Sequence, residues 1–143
     1  MRIHKNVFVR TVAFAALALA LSPLFSALQV NANAIQDCQA LIAALRADTE
    51  AVIITGKNAE KDRAGLIGKL DAASADLSSG KLCGAIRKLT DFRDKVNQLI
   101  AAGRINSDPT AGVTGQDLVD DANEAIACIQ AQAAASGITC PTL

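Results

Sequence analysis

The sequence contains no tryptophan and no tyrosine, and its single histidine is His4. Of its four phenylalanines, only Phe92 lies beyond residue 34. Sites that bind sugars or single-stranded nucleic acid depend on stacked aromatic side chains, so neither kind of platform is expected. No histidine lies beyond residue 34, which excludes a histidine-dependent catalytic triad there, and no spacing of carboxylates argues for a paired acid and base. We therefore expect a protein that is not an enzyme.

The sequence also lacks an uninterrupted apolar run of the about 20 residues that a membrane-spanning helix needs. Its longest apolar stretch, Val12–Phe25, follows a basic segment, Met1–Arg10, and precedes the small residues of Ala32–Ala34. This order of basic, apolar and small residues is typical of a secretory signal peptide. The sequence predicts that residues 1–34 are removed by cleavage before Ile35. It also predicts a secreted or periplasmic protein with no membrane span after cleavage.

Residues 35–143 have a length that suits a single domain. They contain 11 of the 14 basic residues and all 14 acidic residues, which gives a net charge of −3. A mildly acidic surface does not attract phosphate backbones, so nucleic acid is not an expected partner. The predicted organisation is a signal peptide followed by one domain.

Apolar residues recur at intervals of three and four positions in four segments, which predicts four helices. Their predicted ranges are 36–54, 59–79, 81–102 and 115–135. Short connections favour an all-α, antiparallel four-helix bundle. Asp37 is a candidate N-cap of the first helix, and Thr114 with Asp117 resembles a capping box for the fourth.

Two further local features carry expectations about packing. Gly65 and Gly68 each weaken a helix by up to about 1 kcal/mol relative to alanine, so we expect a neighbouring helix to pack closely there. Asp91 and Lys95 have the spacing of an ion pair within one helix. Four acidic residues begin the last helix, and we interpret them as complements to the helix dipole rather than as a calcium site. They are Asp117, Asp120, Asp121 and Glu124.

An even number of cysteines in a small exported domain predicts two disulfides. All four lie after residue 34: Cys38, Cys83, Cys128 and Cys140. They form no Cys-x-x-Cys pair and have no histidine among them, so neither a metal site nor a cofactor is expected. An antiparallel bundle gathers all four thiols toward one end. Three connectivities remain open, and we favour Cys83–Cys140 with Cys38–Cys128 because the C-terminal tail can reach the start of the third helix.

The segment Ala64–Gly80 resembles the second-helix signature of the FIMAH domain, a helical module of bacterial secreted and surface proteins. Ile86–Leu89, Asp91–Phe92 and Val96–Gln98 resemble the next helix of that family, and the resemblance covers roughly residues 58–135. This chain departs from the family in having Ile86 where a cysteine is frequent. It also has a longer connection, Gly103–Val113. The resemblance implies an extracytoplasmic accessory role and supplies no catalytic residues.

Function concentrates on loops that a rigid scaffold holds, which draws attention to the connection before the fourth helix. Its polar residues Arg104, Asn106 and Asp108 are candidates for contacting a partner, although a plain connector would look the same. The sequence predicts a non-catalytic module for protein interaction or scaffolding, with another extracytoplasmic protein as partner. Two alternatives remain: a carrier of a small apolar ligand between the helices, and an inhibitor of a secreted enzyme.

Overall fold

The computed structural model describes the backbone of residues 24–141 and the side chains of residues 33–141. Its helices are α1 (Leu24–Ala51), α2 (Ala59–Ser78), α3 (Leu82–Ala101) and α4 (Gly115–Ala135), with a 3-10 turn at Pro109–Ala111. α3 packs between α2 and α4, and α1 closes the ring by packing against the other sides of α2 and α4. The predicted all-α bundle with two disulfides is confirmed.

Phe92 lies at the centre of one continuous core to which all four helices contribute, and its side chain is fully buried. The other large side chains with almost no exposure are Leu45, Leu66, Leu70, Leu77, Leu89, Leu99, Leu118 and Ile129. Removing a buried aromatic ring of this kind costs about 3–5 kcal/mol. The core therefore holds the helices firmly enough to position a surface site.

The two disulfides are Cys38–Cys128, which joins α1 to α4, and Cys83–Cys140, which joins the first turn of α3 to the C-terminal tail. This is the pairing that the sequence favoured. Both lie in the half of the bundle where α2 ends, because Gln39 next to Cys38 donates a hydrogen bond to the carbonyl of Ser74 near the end of α2. Arg63 in the first turns of α2 donates to the carbonyl of Val52 just after α1, so the two contacts together show that α1 and α2 run antiparallel.

The first helix differs from its predicted range at both ends. The helix runs from Leu24, and no proline or glycine interrupts it before Gln36. Asp37 therefore lies inside the helix rather than capping it. It ends at Ala51 because the β-branched residues that follow prefer an extended backbone. In that extended segment Ile54 forms an isolated antiparallel bridge with Ile105.

Most of the predicted signal peptide, residues 1–23, lies outside the described residues. The remainder belongs to α1, which continues through the predicted cleavage point between Ala34 and Ile35. Asn33 is exposed, whereas Ile35 packs against the core and Cys38 is completely buried. Among the side chains that the structure describes, Ile35 is the first of α1 that packs against the core.

The prediction that a helix packs against Gly65 and Gly68 is wrong. Both residues are exposed, and a Cβ atom at either position would meet nothing within 4 Å. The close approach occurs instead at Gly115, where a Cβ atom would lie 2.6 Å from Ile105 Cγ2 and 2.7 Å from Ile100 Cγ1. Gly115 is the first residue of α4, so the missing side chain lets this helix start directly against α3.

The fourth helix begins as the sequence predicts. The Thr114 hydroxyl accepts a hydrogen bond from the Asp117 backbone N–H at 3.1 Å, and Asp117 Oδ2 accepts one from the Thr114 backbone N–H at 2.8 Å. These reciprocal bonds satisfy two donors that a helix start otherwise leaves unpaired. Hydrogen bonds from Thr114 lower the pKa of Asp117 below its ordinary value.

Candidate binding groove

The candidate interaction residue Arg104 is engaged inside the molecule. Its guanidinium donates a hydrogen bond to Asp62 on α2, and its carbonyl oxygen accepts one from the Thr55 backbone N–H at 2.8 Å. These contacts join the connection before α4 to the connection between α1 and α2. Arg104 therefore braces one end of the bundle.

Asn106 and Asp108 also order their own loop. The Asn106 side chain donates to the carbonyl of Val113 at 2.9 Å and accepts from the Asp108 backbone N–H at 3.0 Å. Asp108 Oδ1 in turn accepts hydrogen bonds from the hydroxyl and backbone N–H of Thr110, which lower the pKa of Asp108. The contacts of the three candidate residues thus hold this loop in place. Its exposed tip is residues 107–112.

A three-residue ion cluster in this region has no counterpart in the sequence prediction. Lys95 Nζ lies 3.3 Å from Asp62 Oδ1, and Arg104 binds the other carboxylate oxygen of Asp62. Burial raises the pKa of Asp62, but the hydrogen bonds and positive charges of Lys95 and Arg104 outweigh it and leave that pKa lowered. The predicted pairing of Lys95 with Asp91 is wrong, because the lysine reaches across to α2 instead.

A groove of about 540 Å³ opens at the opposite end of the bundle, between α3, α4 and the C-terminal tail. Its α3 side is formed by Ile86, Thr90 and Arg93. Its remaining residues come from α4 and the tail: Ile126, Gln130, Ala133, Ala134, Gly137, Ile138, Thr139, Cys140 and Pro141. This set, called the α3–α4 groove below, has an apolar floor with a few polar groups. That composition is typical of small-molecule sites.

The tail that forms the third wall is fixed at both of its ends. Gly137 has a φ of 69°, which ends α4, and the Ile138 backbone N–H donates to the carbonyl of Ala133 at 2.8 Å. The Cys83–Cys140 disulfide then attaches the far end of the tail to α3. Ile138 remains 41% exposed, which is high for a large apolar side chain held at a groove.

Arg93 is the charged residue of the groove lining. Its Nη1 donates to Asn123 Oδ1 at 3.3 Å, and its Nε and Nη2 donate to Asp94 Oδ1 at 3.4 and 3.3 Å. These bonds are long for a guanidinium, so they hold the side chain loosely. Thr90 donates its hydroxyl proton to the carbonyl of Ile86 at 3.0 Å and can still accept a hydrogen bond.

The described residues that line the groove include few groups that take part in acid–base chemistry. None of them is an aspartate, a glutamate or a histidine, and their one cysteine, Cys140, is in a disulfide. The lining therefore provides no general base to activate a nucleophile. Across residues 33–141, no three side chains of histidine, cysteine, aspartate or glutamate converge as metal ligands would.

The acidic residues of α4 lie outside the groove, on the side that faces α1. Asp121 is half-buried, and burial followed by the negative charges of Asp48 and Asp117 raises its pKa above the ordinary value. Arg93 lines the groove and these acidic residues do not, so the positive charge of Arg93 acts on the groove at shorter range. Around Asp121, the neighbouring negative charges disfavour the ionised form of its carboxyl group.

No family model, no curated protein and no solved structure matches this chain. The resemblance to the FIMAH domain therefore remains a prediction. Within the described part of the chain, no helix has both the length and the apolar character needed to cross a membrane.

Sequence reasoning placed a possible ligand cavity between the helices but gave the C-terminal tail no part in it, so it did not locate the α3–α4 groove. The relevant signal was in the tail, where Gly137 and Ile138 precede Cys140 and Pro141. A glycine stop, an apolar residue and a tethered cysteine indicate a tail that turns back over the bundle. Which helices it would cover depends on the disulfide connectivity, and that was open.

Proposed function

We propose that this protein is an exported, non-catalytic binding module that holds a small ligand in its α3–α4 groove. The observation that carries the proposal is a concavity of about 540 Å³ whose third wall is fixed by a disulfide. Small-molecule sites have volumes of about 300–1,000 Å³ and combine apolar walls with a few polar groups. A fixed wall also lowers the entropy that is lost when a ligand binds.

Two features support a location outside the cytoplasm. The chain has two disulfides, and disulfides form and persist in oxidising compartments. In addition, every core residue among the described side chains lies at or after Ile35, so cleavage before this residue would leave that part of the core intact. N-terminal sequencing of protein recovered from the periplasm or medium should find Ile35 first. Recovery of the intact chain from the cytoplasm would contradict export.

The groove can be tested by filling it. Ala134 lines the groove and is exposed, so Ala134→Trp blocks the space without disturbing the core. Ala64→Trp on the exposed side of α2 is the matched control. Native mass spectrometry of protein purified from its host should detect a retained small mass in the unmodified protein and in the control. That mass should be absent from the Ala134 variant, and equal retention in all three proteins would refute the proposal.

A second candidate function, contact with another protein, has its own support at the opposite end of the bundle. Ile53 is 50% exposed, and its carbonyl accepts a hydrogen bond from the Asn106 backbone N–H at 2.8 Å. An apolar side chain therefore lies beside the braced loop of residues 107–112. An inhibitor of a secreted enzyme would use the same surface.

Photo-crosslinking from Ser107 in the host tests this second candidate, with Lys61 as the control position. Both residues are exposed, and they lie on different elements. A discrete protein adduct from Ser107 alone would support a protein partner. Adducts that are equally frequent from both positions would mean that this end of the bundle has no specific contact.

A further inference from the structure

The charged residue in the described lining of the groove is basic, although residues 35–143 carry more acidic than basic side chains. Arg93 lines the groove itself. A smaller recess beside it shares Ile86, Cys140 and Pro141 with the groove and adds Arg87. Among residues 33–141, no aspartate or glutamate lines either concavity. The charge of the lining therefore favours an anionic group on the ligand.

Arg93 retains the hydrogen-bonding capacity that such a group needs. A guanidinium has five N–H groups, and the contacts to Asn123 and Asp94 use three of them. Its side chain is 33% exposed and Asp94 is 56% exposed, so solvent weakens the attraction between the two. A planar anion could therefore pair with the guanidinium without first breaking a strong internal ion pair.

The polar and apolar parts of the groove occupy different ends. Arg93 lies seven residues beyond Ile86 on α3, which separates them by about 10 Å along the helix axis. Ile86 lies near the Cys83–Cys140 disulfide and shares its end of the groove with Ile138 and Pro141. The site thus has a cationic end and an apolar end, about as far apart as the two ends of a medium-length acyl chain.

We propose that the α3–α4 groove binds a monomeric anionic amphiphile, a molecule with an acyl-like chain and a terminal carboxylate. The chain lies along Ile86 and Ile126 toward Ile138, and the carboxylate pairs with Arg93. This inference rests on the proposed function, because it names the ligand class of the same groove. A free amphiphile fits better than a membrane surface, because the groove is a concavity walled by α3, α4 and the tail rather than a flat face.

Isothermal titration with decanoate and with decanol, both kept below their aggregation limits, tests the ligand class. Decanoate should bind the unmodified protein more tightly than decanol does. Arg93→Gln should weaken decanoate binding by about fivefold, the upper range for a partly exposed ion pair, and leave decanol unchanged. Lys61→Gln, which removes an exposed charge from α2, should change neither affinity. Circular dichroism should show that both variants remain folded.

The alternative outcomes separate the two proposals. Equal affinities for decanoate and decanol, or decanoate binding that is insensitive to Arg93→Gln, would overturn the anionic ligand while leaving the groove as a binding site. Decanoate binding that survives Ala134→Trp would overturn both, because the ligand would then bind elsewhere. Binding to phosphatidylglycerol vesicles without any binding of decanoate would overturn the proposal in favour of a membrane surface.

Discussion

Asp62 on α2 accepts a hydrogen bond from Arg104, which lies 42 positions later in the connection before α4. Lys95 of α3 binds the same carboxylate. One acidic side chain therefore joins two helices and a loop at the end of the bundle opposite the groove. This arrangement makes the stability of that end dependent on the charge of Asp62.

Changing Asp62→Asn should lower the urea midpoint of unfolding at neutral pH, because it leaves Arg104 and Lys95 without their shared anion. The folded-state pKa of Asp62 is lowered, so its contribution is present above the unfolded pKa of about 3.9. That contribution is lost as the pH falls through the folded pKa. The difference between the two proteins should therefore shrink in acid, as measured by urea unfolding at a series of pH values.

Asp71→Asn is the control for this prediction. Asp71 pairs with Arg46 at 3.1 Å, but both side chains are exposed, at 59% and 44%. Exposed pairs contribute between about 0 and 1 kcal/mol, so this change should have little effect at any pH. If Asp62→Asn lowers the urea midpoint equally at all pH values, Asp62 stabilises the protein through packing rather than through its charge.

Asp121→Asn should have the opposite effect. Burial and neighbouring acids raise the pKa of Asp121, so its ionisation disfavours the folded state at neutral pH. The amide variant should therefore melt at a higher temperature at pH 7, and its advantage should disappear once the pH is low enough to protonate the carboxylate. Added salt should reduce the gain by screening the neighbouring charges. A variant that melts at a lower temperature than the parent would contradict this reading.

Replacing glycine by alanine should raise the stability of the protein at two positions and lower it at a third. Gly65→Ala and Gly68→Ala should each stabilise the protein by about 0.5–1 kcal/mol, because both sites are helical and open to solvent. Gly115→Ala should destabilise it by about 1–3 kcal/mol, because the added methyl group would overlap Ile105. Urea unfolding followed by far-ultraviolet circular dichroism measures all three. A stable Gly115 variant would mean that α4 can shift away from α3.

The two disulfides should contribute unequally to stability. Replacing Cys38 and Cys128 by serine should cost about 2–5 kcal/mol, because that bond joins two packed helices. Replacing Cys83 and Cys140 should cost less, since the folded protein then regains freedom in its tail and this offsets part of the loss. Urea unfolding of the two double variants compares the costs. Equal costs would show that the tail stays in place without its disulfide.

Limited reduction provides an independent comparison of the two bonds. Cys38 is completely buried and its partner Cys128 is partly exposed, whereas Cys83 and Cys140 are both partly exposed. A low concentration of dithiothreitol should therefore reduce Cys83–Cys140 first, because access controls the rate of thiol exchange. Alkylation followed by peptide mass mapping identifies the bond that opens. Earlier opening of Cys38–Cys128 would mean that α1 separates from α4 more readily than the core suggests.

The bundle and its disulfides were predictable because each depends on local signals. Apolar spacing located four helices, and the antiparallel order brought four cysteines into one half of the molecule. The end of α1 was not predictable in the same way, because Val52 and Ile53 fit a helical stripe and only the bridge between Ile54 and Ile105 shows the extended backbone. Contacts between distant positions override local periodicity there.

The candidate site was less accessible to sequence reasoning for a related reason. Arg104 and Asn106 are polar loop residues, which is the usual signature of a contact surface, but their partners lie elsewhere in the chain. Arg93 has the same appearance in the sequence as any charged residue on a helix. Its place beside Ile126 depends on the packing of α3 against α4.

The covalent attachment of the tail to α3 has a consequence for where the protein can act. Before Cys83 and Cys140 are oxidised, only the start of the tail is held, by the hydrogen bond from the Ile138 backbone N–H to the Ala133 carbonyl. A chain in which this bond is reduced, as the cytosol favours, would lack the fixed third wall of the groove. If the proposed ligand site and the proposed export are both correct, ligand binding would depend on oxidation of this one bond after export.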